Sequence, residues 1–271
     1  MTGRLTSTQV SRCEEEGFVF PIDVLSPDEA ETYHQLYRDA LCLSAEHDQN
    51  FINVKGHLVL KWISDLAREP RILDAVESVL GPNILCWTTN FFVKEPGDQT
   101  FVSWHQDATY WGLSGQQVCS AWLAFTPSKR ESGCMRVIPR SHLNLVPHTD
   151  TFHEKNLLSR GQEISVDVDE DMAVDLELEP GQMSLHHVQI VHGSSPNNSP
   201  LPRVGFVIRY ISTETKQTTG IRDSAMLVRG EDKFGNFDLE PEPTQDLDPD
   251  SLAYLHRLRE QRHLILYRDL S

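Results

Sequence analysis

Between Phe101 and Asp107 the chain reads FVSWHQD, with a histidine two residues before a carboxylate. On an extended strand, residues i and i+2 leave from the same face, so His105 and Asp107 would present an imidazole and a carboxylate side by side. One more imidazole from another strand gives a two-histidine, one-carboxylate set that leaves coordination positions open. Such a set suits non-haem Fe(II) and O2 chemistry. It can also hold Zn2+, so the pattern alone admits a hydrolase. Three-residue patterns are common, and His148-Thr-Asp150 repeats this one. His148 follows a proline and leads into TDTFHEKN, which reads as loop, whereas His105 lies in an aromatic, β-prone segment. Position favours His105.

The third ligand is expected near the end of a later strand, where LHHVQIVHG offers His186, His187 and His192. His192 precedes Gly193-Ser194, where the backbone can turn closely past an ion. His186 and His187 read as one inward and one outward strand residue. Eleven residues after His192, Arg203 opens the apolar run RVGFVIRY. An isolated strand arginine more often faces solvent. A buried one is costly unless it meets an anion, and its guanidinium is a bidentate clamp for a carboxylate. A hairpin from His192 to Arg203 would put that clamp just beyond the metal, a layout suited to a keto-diacid chelated at one end and anchored at the other.

The elements that must position these residues are legible as punctuation. Ser26-Pro27-Asp28-Glu29 is a capping box opening a helix to about Leu41, and Pro70 opens a second that Gly81-Pro82 stops. From Ile84 the pattern changes to short β-branched and aromatic runs between Gly, Pro, Ser and Asn clusters: ILCWTTNFFVK, VCSAWLAFT, CMRVIP, MAVDLELE, GQMSLHHVQIVHG and RVGFVIRYIST. Six such strands without regular intervening helices argue for an α+β chain with a double-sheet β barrel or jelly roll and helices packed outside. The tail is helical again, with Asp248 as N-cap.

With these stretches in view, the sequence resembles the phytanoyl-CoA dioxygenase family of Fe(II)/2-oxoglutarate oxygenases over roughly residues 15–230. The matching segments are GPNI (81–84), WHQD (104–107), VCSAW (118–122), ESGCMRVIPRSH (131–142) and PGQMSLHHVQIVHGSSPNNS (180–199), followed by Arg203. The resemblance implies one dioxygenase domain over 1–271: a double-stranded β-helix (cupin-like) core, with an acidic segment and helix over 231–271. It implies Fe(II) held by His105, Asp107 and His192. It implies 2-oxoglutarate anchored by Arg203 and Ser194 beside Trp122, with Asn90 or Lys94 as a further contact, and O2 as second cosubstrate. Halogenating relatives carry Gly or Ala where Asp107 stands, so hydroxylation of a small molecule is the expected outcome. The same iron centre ending in desaturation, cyclisation or epimerisation is the alternative, as is a metal-binding jelly roll without turnover. Trp104, Tyr110 and Trp111 flank the metal pair and are candidates for the substrate pocket, against the plainer reading of core packing.

Composition bounds the rest. Forty acids against 24 Lys and Arg give −16, which excludes a general nucleic-acid binder and docking on an anionic membrane. Residues 163–179 hold eight acids with no Lys or Arg, and 231–250 hold eight acids with one Lys, so the acidity is local and reads as two solvated faces. No apolar run reaches the length of a membrane span, and no signal-like segment opens the chain. Five scattered cysteines point to a reduced, cytoplasmic protein, monomeric or homodimeric.

Overall fold

The computed structural model describes residues 4–46 and 51–267. Its helices are α1 (Ser7–Glu16), α2 (Pro27–Glu46), α3 (Lys61–Ala67), α4 (Pro70–Leu80), α5 (Ala108–Trp111) and α6 (Pro249–Leu266). Its strands are β1 (Phe18–Asp23), β2 (Ile84–Lys94), β3 (Val102–His105), β4 (Val118–Ala124), β5 (Met135–Val137), β6 (His148–Asp150) and β7 (Gln162–Ile164). They continue with β8 (Val174–Leu176), β9 (Gln182–His187), β10 (His192–Ser194), β11 (Arg203–Ser212), β12 (Ser224–Arg229) and β13 (Asp238–Leu239).

The capping box at Ser26 forms as expected. Ser26 N donates to Glu29 Oε2 at 2.7 Å and Glu29 N to Ser26 Oγ at 3.2 Å, although α2 continues past Leu41 to Glu46. Asp248 caps α6 by accepting from the Asp250 and Ser251 amides. Two antiparallel sheets make the jelly roll. The larger has the order β1-β9-β4-β11-β2-β12-β13, with β12 and β13 parallel, and the smaller has the order β3-β10-β5-β8.

Strand β11 is the axis of the fold and is buried along its whole length. Val204, Phe206, Ile208 and Tyr210 pack outward in one core with Ile63, Leu66, Ile72 and Val76 of α3 and α4. Arg203, Gly205, Val207 and Arg209 therefore face the space between the sheets. There Trp122, Val207, Met135, Val137 and Leu176 form a second, inter-sheet core. A strand covered on both faces has no polar side, which is why RVGFVIRY reads as nearly continuous apolar sequence.

Three expectations are corrected. Strands do not begin at Ile84, the point where the sequence pattern places their start, since Phe18–Asp23 already forms β1 and pairs with β9 at the sheet edge. His148–Asp150 is not a loop but a short strand paired with β7. His192 and Arg203 are not joined by a hairpin, because β10 lies in the small sheet and β11 in the large one. The intervening residues cross between the sheets and are held by Asn197, whose Nδ2 donates to the Lys94 and Leu201 carbonyls and whose Oδ1 accepts from Ser199. The Asn197-Asn198-Ser199 triplet is thus turn chemistry in the crossing segment.

Candidate metal centre and cosubstrate pocket

His105 ends β3 and lies directly opposite His192 of β10 in the ladder, with ring centroids 4.1 Å apart. Asp107 joins them in a way the pleat does not provide. The strand stops at His105, the chain turns at Gln106, and Asp107 takes a helical conformation as the residue before α5. Its Oδ1 is 3.4 Å from His105 Nε2 and its Oδ2 is 4.0 Å from His192 Nε2. One donor atom from each of the three residues lies within 4.8 Å of the others, and all three residues are buried.

The imidazole tautomers suit a metal. His105 Nδ1 faces the Ser103 and His192 carbonyls at 2.9 and 3.1 Å, and His192 Nδ1 faces the Ile190 carbonyl at 3.0 Å. A carbonyl accepts only, so each Nδ1 carries the proton and each Nε2 offers a lone pair toward Asp107. Burial, then the neighbouring His105, hold His192 far below the usual imidazole range. Burial alone would raise the Asp107 carboxyl, but without a metal a proton on His105 Nε2, with His192 and Arg209 beside it, outweighs burial and keeps Asp107 ionised; a metal ion would take the place of that proton. Two neutral imidazoles and one carboxylate fit a divalent ion with open positions.

The turn between the ligands is braced from behind. Gln106 is fully buried; its amide donates to the Gln189 and Asn144 carbonyls at 2.6 and 2.8 Å and accepts from Val146 N at 2.9 Å. The Gln106 amide N–H is accepted by His148 Nε2 at 2.9 Å, so the second HxD histidine positions the first.

The triad opens into a cavity that also reaches Trp122, Ser194, Arg203, Phe92, Val207 and Arg209. Arg203 is 2% exposed and stacks its guanidinium 5.4 Å from the Trp122 ring. Its Nη1 donates to the Gly133 carbonyl, its Nε has no partner, and no carboxylate among the described residues pairs with it. Burial pulls its pKa down to about 10. An arginine held this way lacks only an external anion. Ser194 Oγ accepts from Lys94 Nζ at 2.7 Å, which turns the hydroxyl proton toward another acceptor. Lys94 is the ladder partner of Arg203 and is also buried, and burial followed by Arg203 depresses it to about 6.

Of the two suggested extra contacts, Lys94 therefore stands at the Arg203 end. Asn90 does not; its Oδ1 accepts from Arg209 at the opposite end. The three flanking aromatics are also placed elsewhere than expected. Trp104 alternates away from His105 and stacks on Arg136 outside the cavity. Tyr110 packs edge-on to His148 beneath Arg160. Trp111 packs against Trp87 and lies 4.8 Å beneath the Arg209 guanidinium. Helix α5 turns them into the interior; the cavity walls are Phe92, Met135 and Val207 instead.

Sequence reasoning passed over Arg209 and read His186 and His187 as one inward and one outward residue, as the structure has them. The signal was present for Arg209: it lies in the same apolar run as Arg203 and at even spacing, so the burial argument applied to one holds for both. His186 is the inward member of its pair and its ring lies 5.2 Å from His192, while His187 faces His142 on the other side.

Comparison with known proteins agrees with this geometry. Residues 13–205 match the phytanoyl-CoA dioxygenase (PhyH) family. The chain is 27% identical over 238 residues to ectoine dioxygenase of Nocardia farcinica, covering 78% of this chain and 80% of that protein. It is 34% identical over 137 residues to the human peroxisomal phytanoyl-CoA dioxygenase, covering 48% of this chain and 40% of that one. Among solved structures it is similar to the non-heme monooxygenase ThoJ, with a TM-score of 0.88, 36% identity and coverage of 97% of this chain and 98% of that one. CytC3 with Fe(II) and alpha-ketoglutarate shares the fold at a TM-score of 0.70 and 24% identity, over 92% of this chain and 97% of that one. This chain belongs to the phytanoyl-CoA dioxygenase family.

Proposed function

We propose that the protein is an Fe(II)- and 2-oxoglutarate-dependent dioxygenase. In this reading it hydroxylates an unactivated C–H bond of a small molecule while 2-oxoglutarate and O2 become succinate and CO2. The observation that carries the reading is the pairing, in one buried cavity, of the His105–Asp107–His192 set with an arginine that has no protein carboxylate. A zinc hydrolase has no use for that arginine. Bound Fe(II) and 2-oxoglutarate would supply the activation of O2; the chain supplies geometry. His105, Asp107 and His192 hold the metal. Arg203, with the Ser194 hydroxyl, takes the far carboxylate of the cosubstrate, and Trp122 fixes the plane of the guanidinium. The inter-sheet core keeps bulk water from the space between them.

Asp107 occupies the position that a halide would need, which supports hydroxylation over halogenation. We place the protein as one domain working in the cytoplasm. In support, all five cysteines are unpaired and no described helix is long and apolar enough to cross a membrane.

Anaerobic addition of Fe(II) and 2-oxoglutarate should give a weak visible charge-transfer band, and admission of O2 should release succinate. His105→Ala and Asp107→Ala should abolish both signals. Arg203→Ala should weaken 2-oxoglutarate by a factor of roughly 30 or more while metal content stays near wild type, because a fully buried charge partner is lost. An unchanged 2-oxoglutarate affinity would remove Arg203 from the anchor role. Product analysis separates hydroxylation from desaturation, cyclisation and epimerisation.

A further inference from the structure

Away from Arg203 the cavity ends at Arg209 and His186, and the inner face of the sheet that carries them is unusual. In the ladders of the large sheet, Arg209 lies directly opposite Thr88 of β2 on one side and Ser120 of β4 on the other, and Ser120 lies opposite His186 of β9. Directly opposed residues share a face, so Thr88, Arg209, Ser120 and His186 form one polar row across the inner face of the sheet. Ser184 lies one row away, opposite Trp122. All five side chains are at least nine-tenths buried. Thr88 Oγ1, Ser120 Oγ, Ser184 Oγ, His186 Nδ1 and Arg209 Nε each lack a hydrogen-bond partner. Burying an unsatisfied polar group is costly, so five in one patch are expected only where something outside the chain satisfies them.

Arg209 sets what that is. Its Nη1 is spent on Asn90 Oδ1, its face is covered by Trp111, and its Nε edge has no acceptor. A planar guanidinium fixed on one face and one edge offers the remaining edge to a planar bidentate acceptor. The charge balance points the same way. Arg203 and Arg209 against Asp107 leave the cavity one positive charge in excess, and a divalent metal with a dianionic cosubstrate does not change that excess. One further negative charge neutralises it.

We propose that the row Thr88–Arg209–Ser120–His186 is the head-group subsite of the primary substrate, and that the substrate is a small molecule with a single carboxylate and an apolar body. Phe92, Met135 and Val207 line the cavity beside this row and would take the body. The carboxylate would sit on the opposite side of the metal from the cosubstrate's Arg203-bound end. This inference rests on the oxygenase reading for the metal and cosubstrate.

The test uses the full chain with Fe(II) and 2-oxoglutarate under anaerobic conditions. The probes are a panel of small aliphatic and aromatic carboxylic acids, each beside its own primary amide. Binding is read from perturbation of the visible band and from thermal stabilisation. Wild type should bind at least one acid well ahead of its amide. Arg209→Gln should cut that acid-over-amide preference by roughly 30-fold or more, and Arg209→Lys should restore part of it. Thr88→Val and Ser120→Ala remove hydroxyls that have no protein partner. They should leave the melting temperature unchanged or raised while weakening the acid by roughly 5- to 30-fold.

No acid bound ahead of its amide, a preference untouched by Arg209→Gln, or a lowered melting temperature with unaltered acid affinity in Thr88→Val and Ser120→Ala would each overturn the subsite. Absence of the visible band in wild type would instead overturn the oxygenase reading, and the subsite with it.

Discussion

Each ligand's useful state is set by its immediate polar neighbours. The carbonyls of Ser103 and Ile190 fix the tautomers of His105 and His192, and Asp107 stays ionised because two imidazoles and Arg209 outweigh its burial. Gln106 carries no metal-binding atom, yet it ties the turn between the ligands to the segments around Asn144 and Gln189. Gln106→Ala would leave the buried Gln189 carbonyl, the Asn144 carbonyl and the Val146 N–H without this partner. It should lower stability by about 2–4 kcal/mol and iron affinity by roughly 10- to 100-fold, through loss of ligand orientation. Thermal denaturation and iron titration measure the two effects separately. Wild-type iron affinity in a folded variant would mean the turn holds itself.

At the scale of elements, β11 is the decisive strand. Its outward residues join the helix layer to the sheet, and its inward residues set out the cavity from Arg203 to Arg209. Gly205, between them, is the one place where a side chain is forbidden: a Cβ there would lie 1.9 Å from Trp122. Trp122 in turn backs Arg203. Gly205→Ala should therefore push the indole off the guanidinium and weaken 2-oxoglutarate binding by roughly tenfold, while costing about 1–3 kcal/mol of stability from overpacking. Calorimetric titration of 2-oxoglutarate against an inert metal substitute checks this. The prediction fails if affinity holds while stability falls. The strand was legible from its apolar run, but the crossover that feeds it was not, because a turn of similar length serves a hairpin or a change of sheet.

Over the whole molecule, the two acidic segments turn out to be partly paired and not simply solvated. Residues of 163–179 meet Lys129, Arg130 and Arg136, in pairs exposed enough to contribute little each. The segment at 231–250 is pinned at one buried point. Glu240 accepts from Lys55 and Ser224, and its other oxygen is 2.8 Å from His57 Nε2. Burial would raise the Glu240 carboxyl, but Lys55 and His57 outweigh it and bring it down to about 2. A carboxylate depressed in the fold contributes stability that is present above its ordinary range near 4.5 and is lost as pH falls toward about 2. His57 is lowered, chiefly by burial, so its protonation also disfavours the fold, beginning below its ordinary value of 6.5. Both groups weaken the fold in acid. Glu240→Gln should cost about 3–5 kcal/mol at pH 7 by stranding Lys55, and should flatten the loss of stability between pH 5 and 3. Urea titrations of both proteins across that range test it, and parallel pH profiles would count against Glu240.

What could be read from the chain alone was whatever depends on local spacing. His105 and Asp107 stood out by their spacing, His192 by the Gly-Ser turn after it and Arg203 as a charge in an apolar run, the full ligand set came with the family resemblance, and capping boxes and apolar runs marked α2, α4, α6, β2, β4 and β11. What required the tertiary structure was everything set by which strands lie beside one another. The three aromatics of the Trp104–Trp111 stretch look like pocket residues by proximity to the metal pair, but strand alternation turns Trp104 outward and α5 folds Tyr110 and Trp111 away from the cavity. Thr88, Ser120 and His186 lie 32 and 66 residues apart in turn, and become one polar row with Arg209 only through strand register. A short-range pattern determines which residues cannot be left alone; only the long-range pairing of strands decides which residues they meet.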